Sequence, residues 1–99
     1  MKKTISTDKA PAAIGPYSQA IEANGMVYTS GIIPVVPATG EIPEGSAPQP
    51  RQVLTNLRAL LEEAGCSMED VVKTTVFIKE MNDFGAINEV YAEFFTGDY

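Results

Sequence analysis

The chain has no histidine and a single cysteine, Cys66. Zinc sites of the usual Cys/His type, an internal disulfide and any Ser-His or Cys-His nucleophile pair are therefore excluded. No Asp-rich calcium loop occurs either. The remaining vocabulary for chemistry is carboxylates, Lys and Arg, Tyr, Ser and Thr, and backbone N–H groups beside glycine. Gly15-Pro16-Tyr17-Ser18 is placed to aim Tyr17 at a cleft, and at Ser30-Gly31 the glycine lets a ligand approach the backbone closely. Asn88, between apolar Ile87 and Val90, offers an amide to a ligand carbonyl or carboxylate. Each has a plainer reading: a half-buried turn tyrosine, a β-bulge or strand stop, and an amide that caps neighbouring backbone. Cys66, beside Gly65 and without a cationic neighbour, reads as a small boundary residue.

Those residues sit in one domain, 1–99. With 44% hydrophobic and 20% charged residues, the 99-residue chain has the composition of a folded domain. Seven Lys+Arg against thirteen Asp+Glu give a net charge of −6, which argues against nucleic acid or an anionic membrane as the main partner. Met1-Lys2-Lys3 is followed by Thr4-Ile5-Ser6-Thr7-Asp8-Lys9 and not by an apolar run, so a cytoplasmic location is expected.

Asn24-Gly25 accepts the positive φ that both central positions of a type I′ turn require, and predicts a hairpin between residues 18–23 and 26–30. Lys3 to Ser6 offers a short edge strand. Pro34 to Pro50 holds five of the seven prolines and reads as an ordered surface loop. Pro50 suits a first helical turn; Val53, Leu54, Leu57, Leu60, Leu61 and Ala64 then recur at helical spacing up to the Gly65 stop. Ser67 offers a capping hydroxyl, and the β-branched run Val71–Lys79 predicts a strand whose Lys73 and Lys79 hold a solvated edge. Asn82 or Asp83 can cap a second helix in which Phe84, Ile87, Tyr91 and Phe94 share a face. The fold class expected is α+β, two layers, with a mixed sheet covered on one face by two helices. A right-handed crossover from the Val71–Lys79 strand has its helix but no return strand before Tyr99.

Gly15-Pro16-Tyr17-Ser18-Gln19-Ala20, Tyr28-Thr29-Ser30-Gly31-Ile32-Ile33-Pro34, Lys73-Thr74-Thr75-Val76-Phe77-Ile78 and Asn82-Asp83-Phe84 with Asn88, Tyr91 and Phe94-Phe95 closely resemble the YjgF/RidA family, in order along the chain. The resemblance implies a chorismate-mutase-like fold and a cytoplasmic homotrimer with clefts between subunits. It implies hydrolysis of reactive 2-enamine and 2-imine acids, such as 2-aminoacrylate, to 2-keto acids and ammonia, without metal or organic cofactor. A non-catalytic trimer that senses 2-keto acids is the alternative, and RNA cleavage, attached to some relatives, is disfavoured by the net charge and the lack of histidine. By position, Tyr17, Ser30, Gly31 and Asn88 match substrate-binding residues, while Phe84, Tyr91 and Phe94 match the supporting helix. Ile32 departs from the glutamine common after Ser-Gly.

The family's carboxylate-gripping arginine and water-positioning glutamate belong to strands beyond the position of Tyr99, so the catalytic residues stay unassigned. On these grounds the 99-residue chain is expected to be incomplete relative to the family and nearly inactive. Expressed alone, it is expected to aggregate or stay partly unfolded through the open edge at Val71–Lys79, and to fold when the remaining strands are supplied. Intact mass with circular dichroism checks this: a soluble single species with a cooperative thermal transition contradicts it.

Overall fold

The computed structural model describes residues 2–96; Met1 and the Gly97–Tyr99 stretch at which the sequence stops lie outside the described residues. Its element order is β1 (Lys2–Ile5), β2 (Ala20–Ala23), β3 (Met26–Thr29), α1 (Pro48–Glu63) and α2 (Phe84–Phe94). This is an α+β fold. Single 3-10 turns at Met68–Asp70 and Met81–Asp83 join the later segments.

The hairpin forms where the turn chemistry placed it. Asn24 takes φ 53° and Gly25 φ 76°, and β2 and β3 run antiparallel with Ala23 opposite Met26 and Ala20 opposite Thr29. β1 adds to the other side of β2, Lys2 opposite Ala23 and Ile5 opposite Ala20, giving the order β1-β2-β3.

α1 starts at Pro48, two residues before the expected Pro50, because a proline in the first turn forfeits no intrahelical bond. It ends in a Schellman motif. Gly65, at φ 82°, donates its N–H to the Glu62 carbonyl at 3.0 Å, and Cys66 donates to Leu61 at 2.8 Å, which satisfies carbonyls the helix leaves free. Leu60, fully buried, carries the helix onto the sheet, where it joins Ile5, Ala10 and Ala20 with Val27, Ile32 and Ala64 around them.

α2 lies against α1. Val90 is its buried residue, the Arg58 guanidinium sits 5.1 Å above the Phe94 ring, and Arg51 pairs with Glu93 at 2.9 Å on the exposed rim. Such an exposed ion pair contributes little, so of the two contacts that cross between the helices the cation–π pair of Arg58 and Phe94 is the larger. Capping differs in detail from expectation. Asp83 occupies the N-cap position of α2 without a side-chain bond, and at the earlier turn Ser67 is the N-cap of a capping box in which the Asp70 carboxylate accepts from the Ser67 N–H at 2.9 Å.

One expected element is not formed. Residues 71–79 pair with no strand among the described residues, and Val72, Val76 and Phe77 stand 80%, 51% and 94% exposed. The sheet is therefore antiparallel throughout among the described residues, not mixed. β-branched composition favours an extended backbone, but a strand exists only through a neighbouring ladder, and none reaches this segment.

Among the described residues Leu60 is the one fully buried helix side chain in the cluster with Ile5 and Ala20. Leu60→Ala is expected to lower unfolding stability by about 2–5 kcal/mol, whereas Phe77→Ala, at an exposed site, changes it by less than about 0.5 kcal/mol. Chemical denaturation of both variants measures the difference.

Candidate functional site

Two connections, residues 6–19 and 30–47, meet above Leu60 and enclose a cavity of about 60 Å³. Ala10, Pro11, Ala12, Tyr17 and Gln19 of the first connection and Gly31, Ile32 and Ile33 of the second line it. The lining carries no ionisable group except the Tyr17 phenol. Tyr17 is half exposed, and its N–H closes a tight turn onto the Gly15 carbonyl at 2.9 Å, so the ring is directed by a local backbone constraint.

Gly31 has neither a positive φ nor a neighbour that an added Cβ would meet within 4 Å. Neither backbone conformation nor packing requires glycine there. Its N–H donates to no protein acceptor among the described residues. Ser30 lies next to the cavity with its hydroxyl turned away, donating to the Ser18 carbonyl at 2.6 Å while its N–H donates to the Gln19 carbonyl at 3.0 Å.

The structure thus brings Tyr17 and Gly31 together, with Ser30 tied in behind them. Asn88 is elsewhere. It is exposed on α2 and lines a broad groove of about 930 Å³ with Lys73, Thr74, Tyr91, Phe94 and Phe95. In that groove the Tyr91 and Thr74 hydroxyls share a hydrogen bond, and the Tyr91 and Phe95 rings stack at 4.5 Å. Phe84, at the start of α2, is half exposed and lines neither cavity. Cys66 is a partly buried free thiol at the end of α1 and lines neither of them. Among the described residues no group of three His, Cys, Asp or Glu converges as a metal site.

Two residues that sequence reasoning missed hold the cavity's walls. Gln19, buried, accepts the Thr7 N–H at 2.7 Å on Oε1, and its Nε2 donates to the carbonyls of Thr7 at 3.0 Å, Ala10 at 3.3 Å and Pro11 at 2.7 Å. Asn56, 1% exposed on α1, donates from Nδ2 to the carbonyls of Ile33 at 3.1 Å and Val35 at 2.8 Å and accepts from Gln52 at 2.9 Å. A signal for Asn56 was present, since it falls three residues after Val53 and four before Leu60, on the apolar face. Gln19 stood within the first expected hairpin strand and within the Gly15–Ala20 motif, but neither gave its side chain a role.

Known proteins resemble this chain over nearly its whole length. A family model described as endoribonuclease L-PSP matches residues 7–99. A 2-iminobutanoate/2-iminopropanoate deaminase of Escherichia coli K12 is 54% identical over 96 residues, spanning 97% of this chain and 75% of the relative. A RutC family protein of Pyrococcus horikoshii is 55% identical over 96 residues, 96% of this chain and 76% of its own. Among solved structures, a Rid-family protein of Yersinia pestis superposes with a TM-score of 0.96 at 47% identity, covering 100% of this chain and 79% of that one. The Escherichia coli protein TdcF, solved with bound serine, gives 0.90 at 52% identity over 93% of this chain and 72% of that chain.

Asn56→Leu would keep the side-chain volume but strand the carbonyls of Ile33 and Val35. A loss of about 2–3 kcal/mol is expected, with faster amide exchange in residues 31–36 than in β2. Hydrogen-exchange mass spectrometry with denaturant titration reads both.

Proposed function

The chain belongs to the YjgF/RidA family, and from that premise we propose that it acts in hydrolytic deamination of 2-imine and 2-enamine acids, such as 2-iminopropanoate and 2-aminoacrylate, to 2-keto acids and ammonia. The observation that carries the reading is the cavity that Tyr17 and Gly31 line together, in which the Gly31 N–H has no acceptor among the described residues and the glycine is uncrowded. In this reading Tyr17 walls the substrate and the Gly31 N–H donates to one of its oxygens, with Ser30 keeping that stretch of backbone in place. Water adds to the imine carbon as the nitrogen takes a proton; the tetrahedral adduct then expels ammonia and leaves the keto acid.

Asn88 enters the same reading only through assembly, because it lines the other groove of its own chain. We take the working form to be a cytoplasmic homotrimer with clefts between subunits, in which Asn88 of one copy supplies an amide donor to a cavity of another. Exposed Ile14, Tyr28 and Ile33, at 87%, 58% and 54%, supply apolar surface for such contacts. No helix among the described residues is long and apolar enough to cross a membrane.

A second reading, a non-catalytic sensor of 2-keto acids, is favoured by one observation: the cavity lining offers no carboxylate, Lys or Arg to carry a proton or a charge. A coupled assay separates the two. A pyridoxal-phosphate dehydratase acting on serine supplies 2-aminoacrylate, and pyruvate release is followed with and without the protein. With the remaining strands supplied, acceleration is expected, reduced about tenfold or more by Gly31→Val at unchanged thermal midpoint, since an added Cβ there meets no neighbour within 4 Å. Pyruvate binding without acceleration would leave the sensor reading.

A further inference from the structure

We propose that Gln19 is the positioning residue of the Tyr17–Gly31 cavity, a single residue that fixes the separation of both walls. On one side its carboxamide grips the connection ahead of β2 through Thr7 N–H, Thr7 O, Ala10 O and Pro11 O, at 2.7, 3.0, 3.3 and 2.7 Å. On the other, its backbone carbonyl accepts the Ser30 N–H at 3.0 Å, one residue from Gly31. Ala10 and Pro11, which receive the amide, and Gly31, which follows the backbone bond, come from different connections and line one cavity.

The acceptor pattern specifies an amide and no other group. Three carbonyl oxygens converge on Nε2, whose two protons serve the short bonds to Thr7 and Pro11 while Ala10, at 3.3 Å, shares one of them. An isosteric carboxylate would keep the acceptor for Thr7 N–H and set an oxygen against those carbonyls. Gln19 is 7% exposed, so water does not replace the lost donors without the wall moving.

The role of the cavity rests on the deaminase reading, but the role of Gln19 in holding it does not, and the experiment keeps them apart. In the full chain carrying Gln19→Glu, backbone amide exchange is measured by NMR at Thr7 and at Ser30, with β3 residues Val27 and Tyr28 as internal controls. Exchange at both Thr7 and Ser30 is expected to rise about tenfold or more with the controls unchanged. Faster exchange at Thr7 alone would overturn the proposal, since Gln19 would then secure only the first connection. Should Gln19→Glu fail to fold, Gln19→Asn keeps the amide on a chain one methylene too short to reach Thr7 and Pro11 together; the same paired increase is expected, and wild-type exchange at Ser30 overturns the proposal. In the dehydratase-coupled assay the folded variant is expected to raise KM about tenfold while kcat changes less than threefold, as binding geometry and not the proton transfers is disturbed. Wild-type protein that neither accelerates pyruvate release nor binds pyruvate sinks the deaminase reading while leaving the exchange result to stand on its own.

Discussion

The fold depends on side-chain amides doing what backbone pairing cannot. The chain spends two long connections, residues 6–19 and 30–47, outside helices and strands, and their peptide groups have no ladder to join. Gln19 and Asn56 answer that requirement from inside the protein, each buried and each donating to at least two carbonyls of a connection. An unmet buried carbonyl costs as much as several exposed contacts provide, so these amides decide where the connections can rest. Leu60 then supplies apolar floor beneath them, and the cavity is the space the two pinned connections leave above it.

The parts of the fold that were legible in the sequence are those specified within a few residues. Asn24-Gly25 permits the positive φ of the hairpin turn, and Gly65 permits the αL stop that completes a Schellman motif with Cys66. The apolar spacing from Val53 to Leu61 needs a partner surface, and β1 with β2 provides it through Ile5 and Ala20. The Val71–Lys79 run failed as a strand for the complementary reason. Its residues favour an extended chain, but pairing is decided by what lies alongside, which composition does not encode.

The candidate site divides along the same line. Tyr17 and Gly31 lie at one cavity because residues flanking a hairpin are carried together by it, one just before β2 and one just after β3. Asn88 is fixed by a helix that lies on α1 and not beside the hairpin, so its sequence context said nothing about its distance from them. Gln19 was given no role although it stood in the expected strand 18–23, because only the path of residues 7–11 past its side chain makes it an interior group.

That division constrains any chemistry the protein performs. A 2-imino or 2-keto acid carries a carboxylate, and moving it into a cavity walled by Ala10, Pro11, Ile32, Ile33 and Leu60 costs several kcal/mol unless donors replace its water. The Gly31 N–H and the Tyr17 hydroxyl are neutral donors, each contributing on the order of 1 kcal/mol, too little to offset that cost alone. A cation from outside this lining is therefore needed to hold the carboxylate, the part that the family resemblance gives to an arginine beyond the position of Tyr99.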